Sequence, residues 1–368
     1  MKLRLLLLVS LSILTQKVWA VTYSTSSSGS WTAAGLPTNI AGGDVLNINH
    51  NITSGSITLS LSGSGNVTIN MAANVSLNSL SFNNGSGLNI AINTNGRSFS
   101  TSGGFTANST IAATVNGSLT AGSVNFSNGG DLTVTGNTNV SGSIQSNNSG
   151  TLFQFGGTLT AGSLSMTNGG SLNVSGSASI AGNFNVAGGG SAVLSNGLTA
   201  TGSVTKNGGS MTVTGNLIGS SITVSGSAVL VVTGNTTATS GGITGNGTGS
   251  ITLNGSVTTT GGGISLQNGT DLTVVGVASI GGGITSSDGN TTIDFQNSLT
   301  ASGNVNISNG GDLSVTGSAT ITGFITADSG NTAFNFGGDL SVGSYLTLSN
   351  GGDITVNGNA TIVGNITA

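Results

Sequence analysis

The 368-residue chain has no cysteine, no glutamate, one proline and only five basic side chains. Without cysteine there are no disulfides, even in a compartment that would permit them. Charged residues make up 4% of the chain, against about a quarter in an ordinary soluble domain. The bases are Lys2, Arg4, Lys17, Arg97 and Lys206, three of them in the first twenty residues. The acids are all aspartates: Asp44, Asp131, Asp271, Asp288, Asp294, Asp312, Asp328, Asp339 and Asp353. Beyond residue 20 two bases face nine acids, a net charge of −7. Two bases cannot build the basic face that phosphate neutralisation requires, which excludes nucleic acid and acidic lipid surfaces as partners. What remains is Gly (65 residues) with Ser, Thr and Asn, and 35% hydrophobic residues. That apolar share is enough to bury a core if it is periodic.

Residues 1–20 carry Lys2 and Arg4, an apolar run from Leu5 to Leu14, and Val18-Trp19-Ala20. A basic start, an apolar run and an A-x-A-like end read as a secretory signal peptide cleaved after Ala20. The run is only about ten residues, half of what a membrane span needs. The mature chain is therefore expected to be secreted, with no later span.

One motif recurs. Asn128-Gly-Gly-Asp-Leu-Thr-Val-Thr-Gly136 returns with small changes from Asn168, Asn207, Asn268, Asn309 and Asn350. The starts differ by 40, 39, 61, 41 and 41 residues. The value 61 is one and a half of the others, so the unit is about twenty residues and two variants alternate. Intermediate units show as Thr151-Leu-Phe-Gln-Phe155, Thr292-Ile-Asp-Phe295 and Thr332-Ala-Phe-Asn-Phe336. Such a period indicates a stacked solenoid.

The apolar positions define the coil. Leu132, Val134, Val140 and Ile144 set offsets 0, 2, 8 and 12. The offsets recur from Leu172, Leu272, Leu313 and Ile354. A spacing of two is a strand with alternate residues inward. The gaps hold Gly, Asn and Ser, which tolerate the positive φ of corners. Three short strands joined by corners make one turn of an all-β, single-stranded parallel β-helix, expected to be right-handed. About four apolar side chains cannot offset the entropy of ordering about twenty residues, roughly 1 kcal/mol or more each, so a lone coil cannot fold. Residues 62–368 hold about fifteen coils. Phe153, Phe155, Phe334 and Phe336 fall on inward positions and are expected in the core. The unit at Met211 breaks the spacing after Val213, where an irregularity is expected.

Residues 21–61 differ. They hold Trp31, Pro37 and His50, each the only one of its kind after residue 20, and read as an N-terminal cap with the first coils. Gly29-Ser-Trp31, Leu36-Pro37 and Gly43-Asp-Val-Leu-Asn-Ile-Asn-His-Asn-Ile52 resemble the start of large secreted surface proteins of Bacteroidetes-type bacteria. The later repeats resemble adhesin β-helices such as filamentous haemagglutinins and autotransporter passengers. The resemblance implies an exported, cell-surface β-solenoid of adhesin type. Members usually close with a sorting or anchoring domain and often carry a second Trp after the first. This chain lacks that Trp and stops mid-pattern at Ile366-Thr-Ala368. Its last coil is expected to be completed by a downstream domain or by another protomer stacked end to end.

Chemistry is sparse. Asp131, Asp271, Asp312 and Asp353 share one repeat position at the corner before the first strand, where Asp forms turns well. They are the only candidates for a calcium row. Neighbours are usually two coils apart, roughly 9–10 Å, against about 2.4 Å for a calcium–oxygen bond. Asp288 and Asp328 begin intermediate coils and would partly fill the gaps. His50 has no Cys or second His for a zinc site or a triad. The Gly188–Gly190 and Gly261–Gly263 runs lack the Lys-Ser/Thr of a phosphate loop. No catalytic, cofactor or firm metal residue emerges, and the chain is expected not to be an enzyme. The outward residues of the first strand (Thr133, Gln154, Asn173, Thr212, Thr252, Thr273, Asp294, Ser314, Asn335, Thr355) form a mixed ladder, less regular than an ice-binding array. The expected function is a bacterial extracellular stalk or adhesin segment. The alternative is a carbohydrate- or ice-binding solenoid.

Overall fold

The structure, a computed structural model, describes residues 20–63, 65–83, 87–288, 290–328 and 331–368. Apart from Ala20, the expected signal peptide lies outside these residues. The fold is a parallel β-solenoid. Each coil contributes one strand to each of three faces. The first face is a sheet of seventeen parallel strands, with Asp131–Val134 and Ser171–Val174 as typical members. The second face is built from strands such as Ala178–Ile180 and Leu198–Ala200. The third is built from Phe184–Val186 and Val204–Asn207. In some coils the second and third strands run on as one, as in Leu159–Met166. A register shift then marks the join, between Val140 and Ser143 in the coil before. Fifteen of the seventeen first-face strands lie from Asn66–Met71 onward, the number expected for residues 62–368. At ~4.8 Å per coil the rod is roughly 75 Å long.

The interior follows the period of two, with more positions than the four apolar offsets. Each coil has six inward places, two per strand. In one coil these are Leu132, Val134, Thr138, Val140, Ile144 and Ser146, all buried. In the next they are Phe153, Phe155, Leu159, Ala161, Leu164 and Met166, also all buried. On the second face small and large side chains alternate along the axis over several coils, as a close-packed interior favours, whereas the column Ile144, Leu164, Phe184 and Val204 on the third face stays large. Thr138, Ala178 and Ala319 alternate with Leu159, Leu198 and Leu340 on the second face.

The same rule sets the corner between third and first strands. Phe126, Met166 and Ile307 end their third strands, and their coils turn through Gly130, Gly170 and Gly311. A Cβ there would stand 3.3, 3.0 and 3.2 Å from those side chains. Ser146, Ser286 and Ala327 are small, and their coils turn through the buried Thr151, Thr291 and Thr332. In these coils the alternation of two repeat variants is thus a volume exchange across the corner. The repeat asparagine supplies the turn itself. Asn128, Asn168, Asn268, Asn309 and Asn350 all sit at φ between 58° and 64°, the left-handed region that asparagine tolerates. At the other corner, a Cβ on Gly176 would lie 2.5 Å from the Gly157 backbone of the coil before, so the stacked backbones admit only glycine.

Coil length changes along the rod. Equivalent residues are 23 apart in the first coils (Asn47, Asn70, Asn93 and Asn116), and side-chain amides join them in a ladder of 3.1, 2.9 and 2.7 Å. Later coils take 19 to 21 residues, as in the pairings Ser191↔Ser210, Ser210↔Val229 and Leu272↔Ile293. The irregularity expected after Val213 falls at Gly219, which takes the place filled by Ile180 and Ala200 in earlier coils and is followed by a register shift before Ser221. Coils starting at Ser191 and Ser210 are both 19 residues long, and Asn207 ends a strand while Gly208 and Gly209 take the turn at φ 63° and 64°. This coil also carries Lys206 in a core column between Val186 and Val224.

At the N-terminal end Trp31 is buried in the core and its Nε1 donates to the Pro37 carbonyl at 2.8 Å. Asp44 is buried too, accepting from Val21 N at 2.8 Å and Ala41 N at 2.9 Å. In the last described coil Ile354, Val356 and Ile362 are half-buried and Ile366 is exposed.

Candidate functional site

The aspartate row is a set of backbone acceptors. Asp131, Asp271 and Asp312 each open a first-face strand. Their Oδ1 atoms accept from the N–H groups of Leu152, Thr292 and Ala333 one coil on, at 2.7, 2.9 and 3.0 Å. Asp353 opens the last such strand. Between Asp271 and Asp312 the column holds Thr292, and between Asp312 and Asp353 it holds Ala333. Burial pushes the Asp131 carboxyl above the usual aspartate range, and the Leu152 N–H opposes this more weakly. Asp288 accepts from Asn290 N within its own turn. Among the described residues no three His, Cys, Asp or Glu side chains gather as a metal site.

The same device recurs at the other two corners, where asparagine does the work. Asn137, Asn183, Asn235 and Asn304 accept through Oδ1 from N–H groups of the following coil at 3.0–3.2 Å. Corner amides not used in ladders are satisfied in this way rather than by solvent. His50 packs on Thr25 at the capped end, with Nδ1 3.1 Å from both the hydroxyl and the carbonyl oxygen.

Two surface features lay outside the sequence reading. The first is the outward column of the second face. It runs Thr53, Ser76, Ser100, Thr120, Asn139, Thr160, Ser179, Thr199, Ile218, Thr237, Thr258, Ser279, Thr300, Thr320, Ser341 and Thr361. The third face matches it from Thr205 through Thr223, Thr244, Ser265, Thr285, Asn306, Thr326 and Thr347. Both are more uniform than the first-face ladder, which the structure extends with the exposed Val193 and with Val231. The regularity was readable as a Ser or Thr one residue after each second-strand apolar residue.

The second feature is a groove of about 660 Å³ where coil length drops. Five residues, Thr94–Ser98, turn between the first and second strands of one coil, whereas Gly117 and Ser118 alone make the turn in the next. The longer corner overhangs the recessed coils beyond it. Its backbone is pinned: Asn95 Nδ2 donates to Met71 O at 3.1 Å, Ser98 N to Asn74 Oδ1 at 3.0 Å, and Thr94 Oγ1 to Asn116 O at 3.0 Å. Arg97 stands exposed on this corner and lines the groove with Asn95, Asn116, Ser118, Thr120 and Thr135. With Lys206 buried, it is the accessible cationic side chain of the described residues. The signal in the sequence was the 23-residue spacing of Asn47, Asn70, Asn93 and Asn116, which ends just past Arg97.

Ten of the eleven phenylalanines are buried, Phe153, Phe155, Phe334 and Phe336 among them. The exception, Phe324, stacks on the exposed Tyr345 at 4.7 Å and 9°, so each ring covers a face of the other. No protein-family model, no curated protein and no solved structure matches this chain.

Proposed function

We propose that the protein is an extracellular structural rod, a stalk or adhesin segment of a bacterial surface or secreted protein. The observation that carries this is the unbroken parallel ladder. Strands pair coil to coil on the first face from Thr22–Ser24 to Asp353–Val356, over one continuous core. Such a stack resists bending and offers a protease few loose segments, which suits a spacer. Its almost uncharged surface suits a mechanical role more than chemistry. Surface proteolysis of intact producing cells, followed by detection with an antibody to the coils, tests the location. A protected, intracellular pool would overturn the proposal, whereas a shaved or secreted rod supports it.

The Thr and Ser columns favour a second reading, binding of a periodic ligand such as ice or a regular polysaccharide along the second and third faces. Substituting Thr300 and Thr320 with Lys would abolish inhibition of ice recrystallisation, or retention on an insoluble polysaccharide, if these columns bind.

A further inference from the structure

We propose that the groove at the coil-length step binds a carboxylated saccharide, with Arg97 receiving the carboxylate and the groove hydroxyls and amides receiving the sugar ring. The inference rests on the groove and is independent of the rod reading; Ser100 and Thr120 belong both to the groove and to the second-face column, whereas Arg97 belongs to the groove alone. Three observations support it. The groove, about 660 Å³, falls within the roughly 300–1,000 Å³ typical of small-ligand sites. Its corner is held by hydrogen bonds from Asn95, Thr94 and Ser98 and by left-handed turns at Asn95 and Gly96, φ 51° and 77°. The Arg97 backbone is therefore in place before any ligand arrives, which lowers the ordering cost of binding. No carboxylate forms an ion pair with Arg97 among the described residues, although the chain carries nine aspartates.

The ligand class follows from what surrounds the guanidinium. Arginine presents a planar fork of donors that matches a carboxylate bidentately. The other lining groups, Asn95, Asn116, Ser118, Thr120 and Thr135, are neutral and both donate and accept, as sugar hydroxyls do. One cation balances one charge. The net charge of −7 beyond residue 20, Arg97 included, repels polyanions bearing several charges at close spacing, such as nucleic acid. A uronic acid unit within a glycan carries a single carboxylate on a ring of hydroxyls and meets each requirement.

The test uses the chain from Val21 to Ala368 and a trimer of galacturonic acid, with its methyl ester as a control of the same shape and no charge. Calorimetric titration is expected to show the acid binding and weakening with salt, and the ester binding at least tenfold more weakly. Arg97→Gln keeps a planar amide on the exposed corner and removes the charge. It is expected to lose tenfold or more in affinity for the acid while the melting temperature stays unchanged. Thr120→Val, on the exposed floor, is expected to weaken the acid severalfold. Equal binding of acid and ester, unchanged binding by Arg97→Gln, or no binding of the acid at millimolar concentration would each overturn the proposal. Inorganic sulfate competing as well as the free trimer would overturn the saccharide part and leave a plain anion site.

Discussion

The cost of a single substitution depends on which way the residue faces. Val315 is 1% exposed between Phe295 and Phe336 in the first-face column, while its neighbour Thr316 is exposed. Val315→Asp therefore buries an unpaired charge and is expected to cost more than about 3 kcal/mol. Thr316→Asp is expected to stay within about 0.5 kcal/mol. Equal melting temperatures for the two variants would contradict the register. Lys206 tests burial of charge in the native chain. Its Nζ donates to the carbonyls of Gly190 at 2.7 Å, Val186 at 3.4 Å and Gly208. Burial nevertheless lowers its pKa from 10.5 to about 8. The unfolded chain holds this proton up to about pH 10.5 and the folded chain only to about pH 8. The penalty is thus complete below pH 8 and fades as the pH rises from 8 to 10.5. Melting temperatures of the native chain should rise over that interval relative to Lys206→Met, which should be the more stable variant at pH 7.

At the scale of the coil, the threonine corners carry an unused polar atom. The Oγ1 atoms of Thr151, Thr291 and Thr332 are buried without a hydrogen-bond partner in the structure. Valine has the same shape and no hydroxyl, so Thr332→Val is expected to stabilise by about 1 kcal/mol, read as a higher melting temperature. Thr270 is the contrasting member. Its hydroxyl donates to Gly247 O at 2.6 Å and it covers the space over Gly245, so Thr270→Val is expected to destabilise. That contrast was hidden in the sequence, where Thr270 looks like a variant of the second glycine in the repeat.

For the whole molecule, the two-coil alternation makes pairs of coils the natural unit of deletion. Removing residues 271–311, a Leu/Val coil with its Phe-bearing neighbour, joins coils of the original phase. Removing residues 292–311 alone sets the Leu272 coil against the Leu313 coil and places Ala278 over Ala319 and Ile280 over Ile321 in the second-face columns. The paired deletion is expected to keep a cooperative melt near that of the full chain. The single deletion is expected to melt several degrees lower, by circular dichroism, because like-sized residues then stack without interdigitating.

The sequence by itself determined the solenoid, its coil size, four of the six inward places per coil and the number of coils after residue 62. Each follows from a local period of two and a long period near twenty, and both survive in one dimension. It also marked the corner asparagines and the irregular stretch near Met211. What the aspartates and asparagines do was decided only by stacking. Asp131 and Leu152 are 21 residues apart in the chain, and no local pattern announces that one caps the other. The exchange of Met166 for Gly170 against Ser146 for Thr151 was equally hidden, because it trades volume across a corner. The Arg97 groove depends on a mismatch between neighbouring coils. A lone arginine in an uncharged stretch became a candidate site when three residues fewer in the next corner left it standing over a recess.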